Sequence, residues 1–440
     1  MVLVAFSRLF LQQPKKTPRP RTEMEMITCT GEETAVAREA QITIPERIVR
    51  GLAVLFVLTL LVGFVVSSLP QRINDLDFSE YYSAGQIIRQ GLGRQLYDLK
   101  VQLDFQLRIA KPHVFYNHPP FEALLFAPFT FLSYRAAYIS WVLISVGLLV
   151  CAAVIIESNT KVILASSQYA RMQADFGLVL LLFMTFAPVT TCLLLGQDSP
   201  LLLLIYTLTF VLLRRRKEFW AGCLMAGGLF KFHLIVPFVL VLVLRRKWSF
   251  LQGFVLVGAT LIVISISVSG PSVLVIYPRF LLLNPIYQQV AGFAPEYMPN
   301  IRGFVQLLLN GRAAAISAVL IAGGSVAAIW FAARNWNDEQ LGLSFSAAVL
   351  AAQMASYHLY NYDLTLLLLP VSIVCGELAG QGRALFRPVL LVALIALFIP
   401  LLHRLLLLHS MYALMFIPIT MLFVEIIRVK CELYQQMAPM

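Results

Sequence analysis

The chain has 440 residues, of which 59% are hydrophobic and only 13% charged. A soluble domain is nearer half apolar and a quarter charged, so a single soluble globule, a disordered chain, a coiled coil and a collagen-like fibre are all excluded. The net charge of +11 then reads as basic residues in the cytoplasmic loops of a membrane protein, not as a nucleic-acid surface.

Residues 1–48 carry Lys15, Lys16, Arg19 and Arg21 among prolines, followed by several glutamates, and predict a flexible cytoplasmic tail. Arg47 and Arg50 precede the uncharged stretch 51–70, which predicts a first span with the N-terminus inside. Residues 71–118 form a first outer loop. Its apolar spacing (Tyr81, Ala84, Ile87, Ile88, then Leu99, Leu103, Leu107) predicts short amphipathic helices on the membrane surface. Stretch 121–132 is short and broken by Pro128, whereas 136–156 is long enough to span, so 119–156 is read as one net crossing.

Stretch 176–195 returns outward, Gly196-Gln197-Asp198-Ser199-Pro200 lies outside, and 201–213 leads back to the basic cluster at Arg214. Stretches 219–230 and 234–244 read as two crossings that meet at Lys231 and His233 and end inside at Arg245. Stretch 250–269 leads to a second outer loop at 271–312, and further crossings follow at 313–333, 341–357, 364–375, 388–402 and 405–423. The expected fold is therefore all-α: a polytopic membrane domain over 49–430 with about twelve transmembrane helices, an inner tail at 431–440, and both termini cytoplasmic.

The six cysteines form no CxxC pair, so neither a disulfide framework nor a zinc site is expected. There is no P-loop, GxGxxG or HExxH, and no metal or cofactor is expected. The odd polar groups instead gather on the outer side. They are Asp75 and Asp77, Asn117 and His118, Gln197 and Asp198, Lys231 and His233, Asn300 and Arg302, and His358 with Asn361 and Asp363. Ionisable groups near a bilayer are costly and are functional candidates by default. Asp75 or Asp77 suits a general base for a hydroxyl. Lys231 at a helix break reads either as a snorkelling lysine or as a phosphate contact. Arg302 reads either as an ordinary loop arginine or as a bidentate phosphate clamp. His358, flanked by tyrosines and Asn361, suits sugar hydroxyls or phosphate oxygens.

Four stretches resemble one family. They are Asp77-Phe78-Ser79-Glu80-Tyr81-Tyr82-Ser83-Ala84-Gly85, with Gly91 and Leu96-Tyr97-Asp98; Tyr116-Asn117-His118-Pro119-Pro120-Phe121; Gly196-Gln197-Asp198-Ser199-Pro200, with Gly222 and Lys231; and Pro299-Asn300-Ile301-Arg302-Gly303, with Tyr357-His358-Leu359-Tyr360-Asn361-Tyr362-Asp363. Together they resemble glycosyltransferase family 87, whose members have the GT-C fold. The resemblance implies transfer of a hexose, mannose by analogy, from a polyprenyl-phosphate donor to a lipid or cell-envelope glycan, with inversion, on the outer face of the plasma (inner) membrane. It implies Asp77 as base, with Asp75 as the alternative, and His358 beside the reacting centre. Lys231, Arg302, Gln197, Asn300, Asn361, Asp363, Tyr82 and His118 are implied at the donor phosphate or sugar. Asp198 stands where many relatives carry Asn or Val. A transporter or lipid-linked sugar flippase is the competing reading. It would need a matching polar set on the inner face, and the inner loops carry simple basic clusters.

Overall fold

The computed structural model describes residues 76–109, 114–164, 183–283, 294–309, 313–380 and 387–437. The expected span at 51–70, Asp75 and the tail at 1–48 lie outside these residues. Among the described residues every regular element is helical, as the composition predicts.

Asp77 precedes α1 (Phe78–Arg89), and α2 (Leu99–Leu107) follows after a short 3-10 turn. Helices occur where the apolar spacing predicts them, and α1 is packed inside the protein. In α1 the whole run from Phe78 to Gly85 is buried, including Ser79, Glu80 and Ser83. In α2 Leu103 and Leu107 are exposed, as an apolar face turned to a membrane surface would be, while Gln102, Phe105 and Gln106 are buried against the protein. Gln102 is buried because its amide donates to the carbonyls of Leu96 and Tyr116 and accepts from the Tyr116 N–H. A side chain that satisfies three buried backbone groups belongs inside whatever its polarity.

Helix α3 (Pro120–Phe126) continues as a 3-10 turn to Phe131 and folds against α1, and the long α4 (Tyr134–Leu164) is the spanning helix of this region. Next come α5 (Ala187–Leu195), α6 (Ser199–Arg214), α7 (Glu218–Ala226) and, after a 3-10 turn at Leu229–Lys231, α8 (Phe232–Leu244). Then α9 (Trp248–Ser269) and α10 (Val273–Leu283) lead to α11 (Ile301–Leu309), α12 (Ala314–Arg334) and α13 (Leu341–Ala355). A 3-10 segment (Asn361–Leu367) runs into α14 (Leu368–Gly380), followed by α15 (Pro388–Phe398), α16 (Pro400–Leu408) and α17 (Phe416–Met437).

Five helices among the described residues are long and apolar enough to cross a membrane, or up to seven if each of two bent pairs is one span. The expected count of about twelve included several shorter pieces. Helix α13 has 15 residues, about 22 Å at 1.5 Å per residue. Nearly all of its residues are buried, packed among α8, α12, α14 and α17. A helix wrapped in protein needs no full hydrocarbon length of its own. At the other extreme α9 and α12 expose Val255, Ile262, Val263, Val319 and Val326. Such apolar faces suit lipid rather than water.

The expected pair of crossings at 219–244 is a single bent unit. Its 27 residues would give only about 40 Å of helix, short of two bilayer crossings of about 30 Å each. The bend falls after Gly227-Gly228, and Lys247, just beyond α8, forms an ion pair with Glu218, the first residue of α7. Both ends of the unit therefore meet, and Lys231 sits at its bend. Helix α7 is seated on α9 where Gly222 lies against the Phe250 carbonyl and Gly253 against that of Phe219, with no room for a Cβ at either.

Candidate active site

The site is built on the turn between α5 and α6. Gly196 ends α5 in the left-handed conformation (φ 73°), which favours glycine, and a Cβ there would also strike Phe78. The last carbonyls of α5 have no partners within the helix. Tyr138 donates to those of Leu193 and Leu194, and the Trp141 indole donates to that of Gly196. The aromatic face of α4 thus holds Gln197 and Asp198 in place.

Gln197 is buried and donates through Nε2 to Asp77 Oδ2 at 2.7 Å. Its own Oε1 accepts from the Tyr81 hydroxyl at 2.9 Å, which fixes the orientation of the amide. Tyr81 in turn lies 3.4 Å from His118 Nε2. The backbone of this segment is pinned by Tyr97, which donates to the His118 carbonyl, and by Tyr277, which donates to that of Asn117. Asp77 is therefore a carboxylate at the mouth of a helix, held by an amide that is itself held.

Lys231 was expected at a phosphate. Its ammonium is instead committed to the protein, 2.7 Å from Asp198 and 2.6 Å from Asp363, and it donates to Ser199 Oγ at 2.7 Å. Two of its donors are used in hydrogen bonds, Asp198 adds an ion pair, and the side chain lines the cavity while only 2% exposed. Asp363 has the matching role. It accepts from Lys231, from Ser199 and, through Oδ2, from the Tyr360 N–H, so it caps the 3-10 segment. This hub joins the start of α6, the bend of the α7–α8 unit and the turn before α14.

Other expected site residues divide between the cavity and its supports. Asn361 lines the cavity, as does His358, whose ring packs edge-on to His233 and Tyr360. Burial draws the His358 imidazole down to about 4, so it is neutral near pH 7. Tyr82 does not reach the cavity. It donates to the Leu132 carbonyl and packs on Phe78 and Tyr134. Asn300 is a brace: it accepts from the Gly303 N–H at the start of α11 and donates to the Ser356 carbonyl. Arg302 donates to the Tyr357 carbonyl and stacks 4.5 Å over that ring, so it stands behind the cavity wall next to a lining residue.

An acidic group lies beneath one wall and was not foreseen. His118 Nδ1 is 2.7 Å from Glu122, and the ligand atoms of His118, Glu122 and Asp198 all lie within 4.8 Å of one another. Burial, with Asp198 adding to it, raises the Glu122 carboxyl well above the usual carboxylate range. Burial does the same to Glu80. The one sequence signal was the four-residue spacing of His118 and Glu122 across the start of α3.

These groups surround a cavity of about 860 Å³. Asp77, Glu80, His118, Gln197, His358 and Asn361 supply polar walls, and Phe230, Phe232, Val236, Pro237, Leu281, Leu282 and Leu407 supply an apolar flank. Val236 and Leu282 on this flank are exposed, so among the described residues the apolar side of the cavity is open and not sealed by protein. No curated protein and no solved structure matches the chain. Residues 116–356 match glycosyltransferase family 87. The match takes in His118, Glu122, Gln197, Asp198, Lys231, Asn300 and Arg302, with Asp77 ahead of it and His358 just beyond. Covering more than half of a chain whose helices suit a bilayer, it makes this protein a multi-pass membrane glycosyltransferase belonging to family 87.

Proposed function

We propose that the protein transfers a hexose, mannose by analogy with its family, from a polyprenyl-phosphate donor to a glycolipid or cell-envelope glycan. The observation that carries this reading is the two-sided cavity. A fixed carboxylate, Asp77, stands on one wall, and an exposed apolar flank stands on another. A lipid-linked sugar needs both. The flank takes the isoprenoid chain, and the polar walls take the sugar.

Asp77 accepts the proton of the acceptor hydroxyl as that oxygen attacks the anomeric carbon. The bond from that carbon to the phosphate oxygen breaks, and its electron pair leaves with the polyprenyl phosphate. The leaving group is already a stable anion, so a general acid is not needed. A single displacement inverts the centre and turns a β-linked donor into an α-linked product. His358 and Asn361 contact the phosphate or the sugar, and Arg302 lends positive charge from behind Tyr357. Gln197 holds the base, and Lys231 and Asp363 hold the floor. Basic clusters at Arg214 and Arg245 favour a cytoplasmic position for that end of the bundle, which supports a cavity on the outer side of the plasma membrane. The fold of this reading is of GT-C type.

The test supplies membranes containing the protein with radiolabelled polyprenyl-phosphate-mannose, then with the glucose donor, alongside a total lipid extract. Label in a new lipid or glycan is expected with the native chain. A loss of two or more orders of magnitude is expected with Asp77→Asn, whose amide oxygen still accepts from Gln197. Full activity in Asp77→Asn would remove Asp77 as the base. Transport of the donor without transfer would replace the reading with a flippase.

A further inference from the structure

We propose that His118, Glu122 and Asp198 bind one divalent cation of the Mn²⁺ or Zn²⁺ kind beneath the acidic wall of the cavity. The geometry is close to closed. Metal–ligand bonds of about 2.0–2.2 Å put ligand atoms roughly 3–4.4 Å apart, and the three ligand atoms lie within 4.8 Å of one another. One imidazole nitrogen with carboxylate oxygens suits Mn²⁺ or Zn²⁺ better than Ca²⁺, which takes oxygen alone.

A separate observation points to the same place. Glu80 comes from α1, which supplies none of the three ligands, and it is 2% exposed. Its Oε2 receives no hydrogen bond among the described residues. The charged groups acting on it are His118, Asp77, Glu122 and Asp198. The oxygens of Glu122 and Asp198 likewise receive no well-directed hydrogen bond among the described residues, although His118 and Lys231 stand 2.7 Å away. Three buried carboxylates thus face one imidazole, and the one charge of Lys231 is already shared with Asp363. Buried carboxylates persist when paired or bound to metal. A doubly charged ion supplies what the lysine cannot. It would tie the start of α3 to the start of α6 and hold His118, on which Tyr81 and then the Gln197–Asp77 pair rest.

The experiment uses the full chain purified in detergent, stripped with a chelator and titrated with Mn²⁺ under electron paramagnetic resonance. One saturable ion per chain is expected, displaced by Zn²⁺, with pulsed spectra showing one directly bound imidazole nitrogen. Glu122→Gln is expected to weaken binding at least tenfold while the protein stays monodisperse. Absence of saturable binding up to millimolar Mn²⁺ or Zn²⁺ would overturn the proposal. Saturable binding without a nitrogen coupling would also overturn it. So would an infrared band of a protonated carboxylic acid that vanishes in Glu122→Gln and is unmoved by Mn²⁺. The nitrogen coupling is read on the unaltered protein, so a misfolded variant does not blunt the test.

Discussion

Lys231 and Lys247 flank α8, and each bridges two carboxylates from distant parts of the chain. Lys231 joins Asp198 to Asp363, and Lys247 joins Glu218 to Asp338. The distances are almost the same. The surroundings are not, since Lys231 is 2% exposed against partners at 1%, while the partners of Lys247 are 27% and 39% exposed. A half-exposed bridge forms in competition with water and adds little. A buried one is a commitment, because removing one member strands the others without solvent. Equal geometry therefore implies very unequal consequences.

The largest expected effect tests the buried end. Lys231→Ala leaves Asp198 and Asp363 facing each other unpaired and should cost roughly 3–5 kcal/mol, read as a lowered unfolding temperature in detergent. If Lys231→Ala melts no lower than Lys247→Ala, the comparison breaks. A neutral buried contact sharpens it. Gln197→Leu removes the hydrogen bonds to Asp77 and Tyr81 and should cost roughly 1–3 kcal/mol, with a fall in transfer rate because Asp77 loses its holder.

Acidity separates the two ends next. His358 is held near 4, below its ordinary value of 6.5, so unfolding takes up a proton between those values. Stability therefore rises with pH through that window and is lost as pH falls from about 6.5 towards 4. Melting curves from pH 7 to pH 5 should show this decline, and His358→Asn should flatten it. The smallest effect is expected at the half-exposed end. Lys247→Ala should cost on the order of 1 kcal/mol or less, and added salt should mask part of it.

Much of the helical plan was legible because it rests on local composition. Runs such as 136–156 and 250–269 are uncharged and mostly apolar, and α4 and α9 follow them. The polar groups gathered at one end were also readable one by one. Their pairings were not. Lys231 meets a carboxylate 132 positions away, and no local pattern distinguishes a lysine held by two carboxylates from one without them. The burial of Gln102 in α2 was hidden for a related reason, since periodicity weighs Gln102 as polar and cannot see the backbone groups that claim it. The bend in the 219–244 stretch had a signal in Gly227-Gly228, but counting charges made two crossings of it.

The exposed apolar flank of the cavity has a kinetic consequence for the lipid-linked donor proposed above. A molecule that enters beside Val236 and Leu282 arrives from a film and not from a volume. Its concentration is then a mole fraction of lipid, and its encounter rate follows lateral diffusion in two dimensions. Adding inert lipid at fixed amounts of protein and lipid-linked sugar should slow such a reaction, whereas adding buffer should leave it unchanged. The natural unit for a Michaelis constant at this site is mole per cent.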